Sequence, residues 1–237
     1  IGTHPHVIQN VEFPVAYSLG NFISNMSRRD TQLGLAYRLN IAVTPSLATG
    51  ILRDILRRYR SQHPAVTVRI YEGSTPSVLD RMEDGSCDIA LVRTPYTRNQ
   101  TYETMVVDDD RMVILSAQKL DQNMGYDDLF ALPLILTHRY TAMLTRIAER
   151  IGRTLDAPVQ CEEIATCISL AEAGLGSTMI PYSTFENHRR HGLRLNHALL
   201  DEKECNTTCE LLRMKTRRLS AAARAFWETI SSHTPSL

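Results

Sequence analysis

No stretch of this sequence is apolar for long enough to cross a bilayer. The longest such run, LFALPLIL at 129–136, which contains LPLIL at 132–136, and shorter ones such as MIP at 179–181 fall far short of the roughly 18–20 residues a span needs. An excess of one charge is missing too: Lys plus Arg equals Asp plus Glu at 26 each. No net field therefore draws the chain to nucleic acid or an anionic membrane, and DNA binding would need a local patch. The chain starts at Ile1 without a basic n-region or an apolar h-region, which makes the cytoplasm the expected compartment. Cysteines are few and odd in number, five without a CxxC pair, a pattern of reduced thiols rather than a disulfide scaffold. A redox pair of Cys205 and Cys209 would need a low-pKa thiolate, and nothing nearby marks one.

Catalytic signatures are also absent. The sequence holds no GxSxG, HExxH, Walker loop or GxGxxG, so His138 has no nucleophile motif beside it and no enzyme is expected. Gly174-Leu175-Gly176 follows a helical pattern rather than joining a strand to a helix, and reads as a C-cap turn.

What is present, at 43% apolar and 22% charged residues over 237 positions, is a globular chain able to bury a real core. Residues 1–39 are short turn-rich pieces around His4, Pro5, Pro14 and Gly20, with no amphipathic period. From Asn40 onward, strand, turn and helix alternate, the signature of α/β architecture. A short apolar strand at 39–43 leads through Thr44-Pro45-Ser46 into a helix with Ile51, Leu52, Ile55, Leu56 and Tyr59 on one stripe. Arg53, Arg57, Arg58 and Arg60 fall on the other face and read as solvated surface, since Asp54 interrupts them and no aromatics interleave. Strands at 66–71 and 88–92 flank a helix at 74–82 and complete one βαβαβ half. The second half places strands at 134–136, 159–162 and 177–181 around helices at 140–154 and 164–173. A strand at 210–214 returns, and Leu219, Ala222, Ala223, Phe226, Trp227 and Ile230 form a closing helix. The expected fold is two Rossmann-like lobes with a central cleft.

In open α/β sheets a ligand sits beyond the carboxyl ends of the strands, where loops and helix starts converge. Those positions carry Thr44 and Ser46, then Gly73, Ser74 and Thr75, then Arg93, Thr94 and Pro95. The second half adds Thr137, His138, Arg139 and Tyr140, the helix start at 164–166, and Pro181, Tyr182 and Ser183. Each hydroxyl alone suits an ordinary N-cap; together with the orphan N–H groups of helix starts they suit an anion, a carboxylate or phosphate.

The segment IAVTPSLATGILRDILRRYRSQHPAVTVRIYEGSTPSVLDRMEDGSCDIALVRTP resembles the start of the effector-binding domain of LysR-type transcription regulators. LPLILTHRY, AEAGLGSTMIP and LSAAARAFWETI agree with that family in order, extending the resemblance over residues 40–237. The resemblance implies a type II periplasmic-binding-protein-like fold, with lobe I at 40–115 plus 209–231 and lobe II at 116–208. It places a small-molecule effector, a carboxylate or other anion, at Thr44, Pro45, Ser46, Thr75, Thr94, Thr137, His138, Arg139, Thr166 and Pro181. It further implies no cofactor, and a homodimer or tetramer formed through the first helix of one subunit and a second-lobe helix of another. A transport-type solute-binding protein would share the fold; the missing leader and the closing LSAAARAFWETI helix favour the regulator.

Residues 1–39 lack the amphipathic helices of a helix-turn-helix and linker, so contact with DNA is expected only through a domain missing from this sequence. GTHPHVIQ and YSLGNFI instead resemble the tail of the CapA metallophosphatase-like family of capsule and poly-γ-glutamate synthesis. That resemblance would make His4 and His6 metal ligands, but two imidazoles cannot fill a coordination sphere, so no metal is assigned.

Overall fold

A computed structural model describes residues 37–231. The expectations for His4 and His6 therefore lie outside the described residues.

The chain builds two mixed sheets. β1 (Arg38–Val43), β2 (Thr67–Glu72) and β3 (Ile89–Arg93) are parallel, with β1 central and Asn40 opposite Arg69. β11 (Thr207–Met214) returns antiparallel between β3 and β4 (Tyr102–Asp110), giving the order β2-β1-β3-β11-β4. The second sheet has the order β6-β10-β5-β9-β7-β8. Its members are β5 (Met112–Ser116), β6 (Asn123–Met124), β7 (Leu134–Thr137), β8 (Val159–Cys161), β9 (Ser177–Pro181) and β10 (Asn196–Leu200). Every residue of β3, β5, β7 and β9 is buried, which is why β3, β5 and β7 read as apolar runs with a single polar end rather than as alternations.

In the first lobe, α1 (Pro45–Ala48) and α2 (Ile51–Gln62) follow β1, and α3 (Thr75–Asp84) follows β2. Leu52, Ile55 and Tyr59 form the buried stripe of α2. They meet Ala222, Ala223, Phe226 and Ile230 of the closing helix α8 (Ala221–Ser231). Tyr59 donates its hydroxyl to the Ala222 carbonyl at 3.0 Å and packs edge-on against Phe226 at 5.2 Å, so its buried polar tip is satisfied. The opposite sheet face packs on Val78 and Met82 of α3.

The second lobe carries α4 (Tyr126–Phe130), α5 (His138–Ile151), α6 (Ile164–Glu172) and α7 (Tyr182–Arg190). Helix α5 ends at 151 rather than 154 because Gly152 takes the left-handed conformation with φ 69°. Gly174, with φ 76°, closes the turn after α6, and a Cβ on Gly176 would stand 2.7 Å from the Pro133 carbonyl oxygen.

Sheet membership moves the expected lobe boundaries. Met112–Ser116 pairs with β9 and β10, so it belongs to the second lobe, and the first crossing falls at Arg111 rather than after 115. The return falls at Asn206, before β11 begins at Thr207, rather than after 208. Four consecutive apolar residues at 112–115 find a fully buried central position only in the second sheet.

The five cysteines are all free and buried. Burial pushes the Cys209 thiol up to about 12 and the Cys205 thiol up to about 11, the reverse of what a redox pair needs.

Candidate functional site

The carboxyl ends of β1, β2, β3 and β7 open on a cavity of about 1180 Å³ between the lobes, ample for a small metabolite. Its first-lobe wall holds Thr44, Pro45 and Ser46 before and within α1, and Gly73, Ser74 and Thr75 at the start of α3. Its second-lobe wall holds Thr137, His138, Arg139 and Tyr140 at the start of α5, and Glu162, Glu163 and Ile164 at the start of α6.

The N-cap residues Thr44, Ser74 and Thr137 all have extended backbone yet make no side-chain capping bond. The first-turn N–H groups of α3 and α5 thus keep donors for a ligand at the positive end of each helix. Thr44 is 5% exposed and its buried hydroxyl has no hydrogen-bond partner, a state that a bound acceptor or donor would relieve.

Arg139 reaches across from the second lobe. Its guanidinium donates to the Arg93 carbonyl at 3.1 Å and to the Thr75 hydroxyl. Burial holds its pKa below the ordinary range, and the nearby Arg93 charge adds to this. The group remains a cation, poorly solvated and without a carboxylate partner among these contacts, which favours an incoming anion.

Beside the cavity the two lobes are joined by a buried ionic cluster. Arg93, at 0% exposure, donates from Nη1 to Asp110 at 2.8 Å and Thr207 at 3.0 Å, and from Nη2 to Ser183 at 3.1 Å. Ser183 gives Asp110 its backbone N–H at 3.1 Å and its hydroxyl. Asp110 and Thr207 flank the two chain crossings, while Ser183 opens α7 of the second lobe. On the outer surface Arg53 donates to Asn187 at 3.2 Å, also across the lobes.

Seven of the ten expected residues line the cavity: Thr44, Pro45, Ser46, Thr75, Thr137, His138 and Arg139. The other three stand elsewhere. Thr94 uses its hydroxyl to accept the Thr208 N–H at 2.8 Å, a β3–β11 contact. Thr166 is exposed on α6. Pro181 is the buried N-cap of α7, paired with Met112. Sequence reasoning passed over Asp80, Glu83, Tyr96 and Tyr102, which line the cavity, and the Asp110 partner of Arg93. An arginine ending the otherwise apolar IALVR strand was the one available signal.

A sequence profile described as the LysR substrate binding domain matches residues 32–235. The chain belongs to the LysR substrate binding domain family. The profile starts seven residues before the expected boundary at 39. This LysR domain is 28% identical over 149 residues to a probable HTH-type transcriptional regulator, LrrA, of Synechococcus elongatus, covering 60% of this chain and 50% of that protein. It is 22% identical over 165 residues to the HTH-type transcriptional regulator BudR of Raoultella terrigena, covering 63% and 57%. The chain thus spans about half the length of these curated relatives, which are regulators rather than enzymes. Among solved structures, the effector binding domain of QuiR in complex with shikimate superposes with a TM-score of 0.71 at 14% identity, over 84% of this chain and 99% of that one. The BenM effector binding domain with its effector benzoate gives 0.69 at 17% identity, over 83% and 91%. These likenesses establish the two-lobed fold of LysR effector-binding domains.

Proposed function

We propose that this LysR domain senses a small carboxylate-bearing effector in the inter-lobe cavity, and that binding stabilises the closed arrangement of the lobes. The observation that supports this most directly is Arg139. From the second lobe it holds two first-lobe acceptors, Thr75 and the Arg93 carbonyl, at a point where uncapped helix starts and the unpartnered Thr44 hydroxyl converge. A carboxylate there bonds to both walls at once, and a ligand shifts a lobe equilibrium only through such contacts made in one state and lost in the other. The bound proteins named above carry carboxylates, shikimate and benzoate, in agreement with this chemistry.

Isothermal titration with small carboxylates tests the reading. Arg139→Gln should weaken the tightest binder by about 1.5–3 kcal/mol, the range for hydrogen bonds to charged groups, or about tenfold to a hundredfold. Unchanged affinity would place the ligand elsewhere.

As the sensing part of a regulator, the chain would act in the cytoplasm, with DNA contacted through a further domain. We infer self-association as a dimer or tetramer through α2, whose neighbour β2 is an edge strand exposing Ile70. Ile70→Lys should lower the mass seen in sedimentation if that edge lies in the interface. Among the described residues no helix is long and apolar enough to cross a membrane.

A further inference from the structure

The cavity is not uniformly suited to an anion. Its ionisable lining comprises Arg139 and His138 against four carboxylates, two from each lobe: Asp80 and Glu83 on α3, and Glu162 and Glu163 where α6 begins. Arg93 does not redress this balance, because Asp110 neutralises it at 2.8 Å.

We propose that the effector is a small zwitterion, an amino-carboxylate whose carboxylate meets Arg139 and the Thr44 hydroxyl and whose ammonium faces Asp80, Glu83, Glu162 and Glu163. This rests on the anion-sensing reading above and names the other end of the ligand. A dianion filling the cavity would bring its second charge toward these carboxylates and a monocarboxylate would leave them unpaired, whereas an amine at that end turns the same field into attraction.

The geometry separates the two ends. Along α3, Asp80 and Glu83 lie five and eight residues beyond Thr75, about 7 and 12 Å along the axis at the rise of an α-helix, the span of a small bifunctional molecule. The cavity is also lined by Tyr96 and Tyr102. Their hydroxyls are committed as donors to Glu210 and Glu83, and Tyr102 is buried in the core, so the half-buried Tyr96 is the ring left to a ligand, a surface that suits an ammonium. Burial holds the Glu163 carboxyl above the usual carboxylate range, with the charges of Glu162 and Glu72 adding to it; a cation between these groups would relieve that repulsion. Thr44, which lines the cavity at 5% exposure, carries a hydroxyl without a partner, a group that a ligand carboxylate would satisfy.

Matched pairs differing only in the amine test this on the full chain. Suitable pairs are γ-aminobutyrate against butyrate, ε-aminocaproate against caproate, and p-aminomethylbenzoate against p-toluate, followed by thermal shift and titration calorimetry. The amine-bearing member of at least one pair should bind at least about tenfold tighter. In the E162Q/E163Q variant, and separately in D80N/E83Q, that preference should shrink while the amine-free partner binds as well or better. Retention of the cooperative melting transition by either variant shows that folding is intact. Amine-free carboxylates that bind equally well, with dependence on Thr44 and Arg139, would overturn the zwitterion and leave the anion-sensing cleft standing. Absence of binding by both members of every pair would overturn both.

Discussion

Replacing Asp110 by Asn isolates the ionic cluster at the crossings between the lobes. The substitution keeps side-chain volume but deletes the charge that faces Arg93, a guanidinium at 0% exposure with no other carboxylate among its contacts. Asp110 also accepts two donors from Ser183, so the amide leaves at least one of them facing a donor of its own. Breaking a buried pair from one side costs about 3–5 kcal/mol, because an uncompensated charge remains inside. Against a total of about 5–15 kcal/mol for a domain, that is a large fraction. At about 2–4 °C per kcal/mol for this size, the melting temperature should fall by roughly 6–20 °C. Urea unfolding with a shared m-value gives the free energy directly. The companion Arg93→Met with Asp110→Leu removes both charges and should recover most of the loss, since apolar replacement of a whole pair is often near neutral. A loss below about 1 kcal/mol in Asp110→Asn, or a double variant as unstable as the sum of the singles, would refute the reading of Arg93 and Asp110 as a coupled, buried ion pair.

Thr44→Val removes a buried hydroxyl without a partner, so chemical unfolding should show stability unchanged or about 1 kcal/mol higher, while effector affinity measured by calorimetry falls about tenfold; a large loss of stability would mean that the hydroxyl is satisfied in the free protein. Gly176→Ala drives a Cβ to 2.7 Å from the Pro133 carbonyl, and thermal denaturation should report a loss of about 1–3 kcal/mol from the forced shift. For the thiols, burial raises Cys209 from 9.0 to about 12 and Cys205 to about 11. The stability each contributes is complete below pH 9 and is lost as pH rises through the folded values, so urea midpoints should decline between about pH 9 and 12. At pH 8 both thiols should resist a disulfide reagent until urea is added, and rapid native-state labelling of either would contradict their burial.

The sequence was legible where local pattern and tertiary environment agree. Strands buried on both faces, such as IALVR and LPLILT, announce themselves as apolar runs because α/β packing covers both sides. The α2 stripe is visible because one helix face alone meets α8. Helix α7 and strand β10 were missed for the opposite reason. YSTFENHRR buries only Thr184 and Phe185, and NHALL buries only Ala198 and Leu200, so neither carries enough periodic apolar signal; both are specified by the sheet they join rather than by their own residues.

The same distinction governs the candidate site. Residues at strand ends and helix starts were recoverable because topology alone carries them to the cleft, and Thr44, Thr75, Thr137 and Arg139 arrive there as a consequence of parallel β-strands feeding helices. Position along the chain does not, however, fix which way a side chain is engaged. Thr94 also follows a strand, but antiparallel β11 lies beside it and takes its hydroxyl through the Thr208 N–H, a neighbour 114 residues away. The Arg93–Asp110–Ser183 cluster is hidden by the same distance, with separations of 17, 90 and 73 residues among its members. Its burial carries a functional consequence that no local pattern states. Arg93 and Asp110 both belong to the first lobe and Ser183 reaches them from the second, so lobe movement in this domain should pivot where Ser183 meets this buried pair while the Arg139–Thr75 contact across the cavity opens and closes. Effector binding would then act on the labile contact and leave the fixed one intact, which is the arrangement a reversible sensor requires.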